Sequence, residues 1–193
     1  MIMDHQMVVF GGVKSNKYQR TVSVLDTNRW KWTSPPKIMG DAPRPRSYHS
    51  ATTVKKGDKK DWIVVVGGND HDTCFNTVHV LEVNDGRWSW INPIVSGDLP
   101  SPRTGHAATL MEDGKTIFIQ GGWDPNAEDE EEIIYEDCFL LDTSTWTWTK
   151  SEKTVERALV GHKAVQCKNE VHMFGGRLAG GKFSNDLLTL SLD

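Results

Sequence analysis

Short apolar runs, each closed by a pair of glycines, punctuate the chain. Residues 7–10, 63–66, 116–120 and 171–174 lead into Gly11-Gly12, Gly67-Gly68, Gly121-Gly122 and Gly175-Gly176. These runs are too short for helices and rich in β-branched and aromatic residues, so they predict buried strands. A second set of segments, at 21–26, 77–82, 137–142 and 186–191, shares this character and ends in Leu-Asp or a close relative. Asp113-Gly114 predicts a hairpin, because Asp-Gly readily takes the positive φ of tight turns. Lys168-Asn169 and residues 55–61 hold the same place in neighbouring stretches. No apolar stripe of 3.6-residue period is long enough to argue for a helix.

The pattern repeats. The Gly-Gly pairs recur at intervals of 56, 54 and 54 residues. Trp-x-Trp recurs at Trp30/Trp32, Trp88/Trp90 and Trp146/Trp148, and His-x-Ala at His49/Ala51, His106/Ala108 and His162/Ala164. The markers keep one order, so each period reads as four antiparallel strands: His-Ala, Gly-Gly, Leu-Asp and Trp. A single sheet of this size cannot bury both faces, so such units must stack face to face as propeller blades. Residues i and i+2 of a strand share a face, so each Trp pair is expected on a strand, at least half buried, covering on the order of 200 Å² per indole.

These residues resemble the kelch repeat family. The resemblance is carried by Pro45-Arg46-Ser47-Tyr48-His49-Ser50-Ala51, Gly67-Gly68, residues 76–82 and Trp88, then again by Pro102-Arg103-Thr104-Gly105-His106-Ala107-Ala108, Gly121-Gly122, residues 137–142 and Trp146. The stretch from Gly97 to His106 is most similar to stand-alone and acyl-CoA-binding kelch proteins. The resemblance implies an all-β, kelch-type β-propeller that recognises partners through loops on one rim. The first period lacks most of its His-Ala strand, with residues 1–3 as its last part, and the fourth lacks its Trp strand. The expectation is about three and a half four-stranded blades, at approximately 1–40, 41–97, 98–153 and 154–193, in an open ring. The chain is then either a piece of a longer propeller or a unit that self-associates through its open ends.

Charge and composition narrow the partners. A net charge of -4 leaves no electrostatic footprint for nucleic acid or an anionic membrane. No apolar run approaches the ~20 residues needed to span a bilayer, and the N-terminal residues lack the pattern of a secretory signal. Cys74, Cys138 and Cys167 are odd in number and lack metal-ligand spacing. They are expected as buried apolar groups in a reducing, cytoplasmic or nuclear setting.

Most candidate chemistry reads as architecture. Phosphate binding by the Gly-Gly pairs would need a following helix N-terminus, and none is predicted. A pair repeated in every period instead suits positive φ and close backbone approach. His49, His106 and His162 stand at equivalent places, as structural residues would, and Arg46 and Arg103 likewise. Asp124-x-Asn126-x-Glu128 begins like a calcium loop but continues to Asp129 and Tyr135 where glycine and glutamate are required. The acidic run 128–132 reads as a solvated loop, or as a surface for a basic partner. Motifs of nucleophilic and zinc hydrolysis are missing. No enzyme, metal or cofactor is expected, and a metal-dependent enzyme on a kelch-like propeller is the alternative.

The loops after the Gly-Gly pairs, at 13–19, 69–75, 123–136 and 177–183, differ from period to period, and such loops commonly build binding surfaces. Asp70, His71, Trp123, Asp124 and Arg177 are therefore the candidate contacts for a protein partner. Trp123 stands outside the paired pattern, either as an exposed anchor or packed on its own blade. The Pro-Arg connections are expected on the opposite rim.

Overall fold

In a computed structural model, which describes residues 2–3, 5–127, 133–155 and 157–191, the chain is built from antiparallel sheets stacked as propeller blades. The first sheet runs Ile2–Met3, Gln6–Phe10, Val22–Asp26, Lys31–Thr33 from inner to outer edge, with residues 2–3 as a two-residue innermost strand. The second holds Ser50–Gly57, Lys60–Val66, Val78–Asn84 and Arg87–Ile91, and the third Ala107–Leu110, Thr116–Gln120, Cys138–Asp142 and Thr147–Lys150. The fourth holds Lys163–Cys167, Glu170–Phe174 and Leu187–Ser191.

Two short strands were not legible in the sequence. Ile38–Met39 and Ser96–Gly97 pair in parallel with the outermost strands of the second and third sheets. The connection between blades thus zips onto the blade it is about to enter, and two residues are too few to show any period.

Alternation along the strands divides the core into joints between blades. In Lys60–Val66, Ile63 and Val65 face the first blade, beside Val8, Phe10 and Val24, while Val64 and Val66 face the third, beside Ile117, Ile119 and Trp148. Phe118 and Cys138 then meet Val171 and Met173 of the fourth blade. All three joints exclude water from β-branched and aromatic side chains, the main source of stability in such stacks.

The tryptophans depart from expectation in an instructive way. Trp88, Trp90 and Trp148 are buried at 4%, 6% and 1% exposure, but Trp30 and Trp32 are 74% and 60% exposed. Trp30 and Trp146 are not on strands. In both blades an aspartate carboxylate, Asp26 or Asp142, accepts hydrogen bonds from two backbone N–H groups of a longer turn, and Trp30 and Trp146 close that turn at φ 54° and 58°. The second blade turns instead through Asp85-Gly86, with Asn84 opposite Arg87, which leaves Trp88 on the strand. Each blade's Trp strand packs on the blade before it, so the exposure of Trp32 follows: no sheet covers that face among the described residues.

The Gly-Gly pairs clasp one blade to the next. The N–H groups of Gly12, Gly68 and Gly122 donate to the carbonyls of Arg46, Arg103 and Leu159 in the following blade, at 2.8, 2.9 and 2.8 Å. Gly67 has φ 64°, and a Cβ there would lie 2.6 Å from the Arg103 carbonyl oxygen. Glycine is required at that joint for conformation and for space.

Candidate partner-binding rim

The strand entering each blade, the Gly-Gly turn and the loop after it all lie at one end of the stack. Ser47 bridges Asn69, Thr104 bridges Trp123 and Val160 bridges Arg177, which joins the connection entering each of these blades, Pro-Arg in the second and third, to the Gly-Gly loop of the same blade. The Pro-Arg connections are therefore on the same rim as the loops, not the opposite one. The antiparallel order of the first two strands accounts for this, since it sets the start of the His-Ala strand beside the end of the Gly-Gly strand.

The buried arginines hold this rim together. Arg46 donates from Nη1 to the Gly67 carbonyl at 2.8 Å and from Nε to the Arg44 carbonyl at 3.2 Å. Arg103 repeats the pattern with the Gly121 and Ser101 carbonyls at 3.0 and 3.2 Å, and adds an ion pair to Asp137 at 2.8 Å. Burial, partly offset by Asp70, lowers the Arg46 pKa to about 10, so it stays charged at neutral pH. In the fourth blade Leu159 takes this place, and Arg157 pairs with Asp186 instead.

The five candidate contacts divide by geometry. Asp70 is committed to its own loop: Oδ1 accepts the N–H groups of Asp72 and Thr73 at 3.1 and 2.8 Å, and Oδ2 pairs with Arg44 at 2.6 Å. His71, next to it, is exposed beside Asp72. Asp124 caps the next loop by accepting the Asn126 N–H at 2.9 Å. Trp123 is half-buried, with the Arg177 guanidinium 5.1 Å from its ring centre. It therefore packs neither free in solvent nor solely on its own blade, but under a cation from the next one. The structure thus brings Trp123 and Arg177 together. The acidic run 128–132 lies outside the described residues.

Neighbouring loops are also cross-linked by polar contacts. Thr104 Oγ1 donates to Asn69 Oδ1 at 2.8 Å, and the Cys74 thiol lies 3.9 Å from the Trp123 carbonyl. Burial, with Asp124 nearby, pushes the Cys74 thiol up to about 12, so it is a packing group rather than a nucleophile. Cys138 is buried as expected, whereas Cys167 is exposed, because it ends the first strand of the fourth blade on an uncovered face.

Tyr48 is the rim residue that sequence reasoning passed over. It occupies the place of Gly105 and Gly161, and backbone hydrogen bonds run from Gly161 to Gly105 and from Gly105 to Tyr48 at 2.7 and 2.9 Å. Tyr48 keeps the left-handed conformation of those glycines, φ 52°, and is 70% exposed. A bulky residue in that conformation is strained, and such strain concentrates at functional positions. Ser-Tyr-His against Thr-Gly-His and Val-Gly-His was the signal available.

The three histidines line the inner strands. His106 places Nε2 2.8 Å from Ser50 Oγ across the joint, while the equivalent of Ser50 facing His162 is Ala107, and neither ring nitrogen of His162 has a partner among the described residues. Burial first, then nearby positive charge, lowers His49, His106 and His162 to about 4, 3 and 4. All three are neutral at physiological pH. Among the described residues, no group of three or more His, Cys, Asp or Glu side chains is placed to hold a metal, and no helix is long and apolar enough to cross a membrane.

Stacked four-stranded blades clasped through Gly-Gly turns define a kelch-type β-propeller. The chain belongs to the kelch-repeat family: the model described as the KLHDC2/KLHL20/DRC7 Kelch-repeats domain matches residues 1–159 and again 59–193. Kelch domain-containing protein 3 of Rattus norvegicus is 31% identical over 188 residues, covering 90% of this chain and 46% of that protein. The Rab9 effector protein with kelch motifs of Mus musculus is 29% identical, covering 94% of this chain and 45% of that protein. The chain thus spans about half the length of these relatives. A solved structure, that of YjhT, shares the fold with a TM-score of 0.71 at 18% identity, covering 99% of this chain and 64% of that one.

Proposed function

We propose that the chain is a non-enzymatic protein-binding scaffold whose partner docks on the Gly-Gly rim. The observation that carries this reading is Tyr48, an exposed aromatic held in a strained conformation where the third and fourth blades keep glycine. The same rim carries His71 and the Trp123–Arg177 stack, with Asp70 and Asp124 shaping the loops. Kinship with an effector protein supports a protein partner, since aromatic and arginine side chains are the usual anchors of such contacts. The three free cysteines support a reducing, cytoplasmic or nuclear setting.

Tyr48→Gly with His71→Ala and Trp123→Ala tests the reading. Tyr48→Gly relieves backbone strain, so the variant should retain its β-sheet circular dichroism. In pull-downs from cell lysate, proteins captured by the parent chain should be lost. Unchanged capture by the folded variant would remove the rim from consideration.

A further inference from the structure

The second blade leaves its buried arginine without a carboxylate. The first glycine of each Gly-Gly pair donates its N–H to the residue that opens the Leu-Asp strand, and that residue is Thr77 in the second blade, Asp137 in the third and Asp186 in the fourth. Asp137 pairs with Arg103 at 2.8 Å, and Asp186 with Arg157. In the second blade Arg46 Nη1 donates instead to the Thr77 hydroxyl at 3.2 Å, and Nη2 lies 3.4 Å from His79 Nε2. Its other partners are the Gly67 and Arg44 carbonyls. Burial lowers the His79 pKa, so the imidazole is neutral and the guanidinium charge is met only by neutral groups.

The surface beside this gap is open. A cleft of about 470 Å³ lies between the connection at 41–46 and the start of the Leu-Asp strand. Thr77 and Asn92 are exposed on its wall, and the Arg44 side chain is 60% exposed. Arg44 uses two donors, on Asp70 at 2.6 Å and on the Thr73 hydroxyl at 3.4 Å, which leaves others of its five free for a ligand. Thr77 accepts from Arg46, so its own proton can turn outward, while His79 Nε2 keeps Arg46 as a donor. Among the described lining residues Asp41 is the only acidic one, against Arg44 and Arg46. The third blade shows that solvent reaches this place, since the Asp137 side chain is 24% exposed with Arg103 at 1% behind it.

We infer that this cleft binds a carboxylate from outside the chain, an aspartate or glutamate side chain of a partner protein, which accepts hydrogen bonds from Arg44 and Thr77 at the surface with the Arg46 charge behind them. The third blade supplies the precedent by placing its own carboxylate there. Charge-assisted contacts to arginine are the stronger kind and fix orientation. That the carboxylate comes from a docking protein rests on the rim reading, because the cleft adjoins the loop at 69–75. That the cleft takes a carboxylate does not, because it uses none of Tyr48, His71 and Trp123.

The test titrates the 193-residue chain with N-acetyl-aspartate N-methylamide, its asparagine counterpart and methyl phosphate, by ligand-observed NMR at constant ionic strength. The blocked aspartate should bind saturably, and the blocked asparagine roughly tenfold more weakly. Thr77→Asp supplies the carboxylate from within and should abolish binding while leaving the sheet spectrum unchanged. If that variant fails to fold, Arg44→Gln, a change at an exposed side chain, should weaken binding roughly fivefold. No binding of the blocked aspartate, equal binding of the two amino acids, or undiminished binding by folded Thr77→Asp or Arg44→Gln chains would overturn the assignment and leave the rim reading standing. So would preferential binding of methyl phosphate, which would make the cleft a phosphate site.

Discussion

At the scale of single residues, the repeat works through space that only a hydrogen atom can occupy. Gly121 and Gly114 both have φ 70°, but a Cβ at Gly121 would lie 2.5 Å from the Leu159 carbonyl oxygen, whereas at Gly114 it meets nothing within 4 Å. Gly114→Ala should therefore cost about 1 kcal/mol for conformation alone, and Gly121→Ala about 3 kcal/mol or more because the joint must also open. Urea unfolding of the two variants checks the difference, and equal losses would contradict the clasp. The buried histidines add a pH dependence. Their folded pKa values lie below the ordinary value of 6.5, so the unfolded chain takes up protons first as pH falls. Stability should decline from about pH 6.5 downward until the folded values near 4 and 3 are reached. The urea midpoint should fall between pH 7 and 5, above the range where most carboxylates titrate, and His106→Leu should flatten the curve.

At the scale of strands and turns, the same Trp-x-Trp motif gives different outcomes because of what covers its face. Trp148 is 1% exposed inside a joint and Trp32 is 60% exposed on an uncovered face. Trp148→Ala should cost roughly 3–5 kcal/mol, and Trp32→Ala under about 1 kcal/mol, both read from denaturant curves. The periodic strands, the Gly-Gly joints and the structural part of Arg46 and Arg103 were legible in the sequence, since each repeats a local rule. The parallel edge pairs at 38–39 and 96–97 were not, because they depend on how separate segments meet, whereas the shared rim of the Pro-Arg connections follows from the antiparallel order of the first two strands. The candidate site was legible by position but not by function within the loop. Nothing in the residue order distinguishes Asp70, which caps its own turn, from His71, which faces solvent. Tyr48 was hidden by the repeat itself, since a tyrosine in place of a glycine reads as drift until the structure shows it keeping the left-handed conformation at φ 52° and 70% exposed.

For the whole molecule, both outer faces of the stack carry apolar side chains. Trp30, Trp32 and Val9 are exposed on the first blade at 74%, 60% and 41%, and Val165, Phe174 and Leu187 on the fourth at 58%, 58% and 65%. Exposed faces of this kind drive association. The isolated chain should therefore show a mass in light scattering that rises with concentration, and Trp32→Ser with Phe174→Ser should lower it. A parent chain that stays monomeric at high concentration would contradict this.

Docking of a protein partner on the Gly-Gly rim is tested by hydrogen exchange on the purified complex with a protein captured by the parent chain. Amides in the rim segments 46–49, 69–75, 123–127 and 177–183 should slow on binding, while the turns at 57–59, 85–86 and 113–115 on the opposite rim should exchange as in the free chain. Protection confined to those opposite turns, with the Gly-Gly rim unchanged, would place the partner on the other rim.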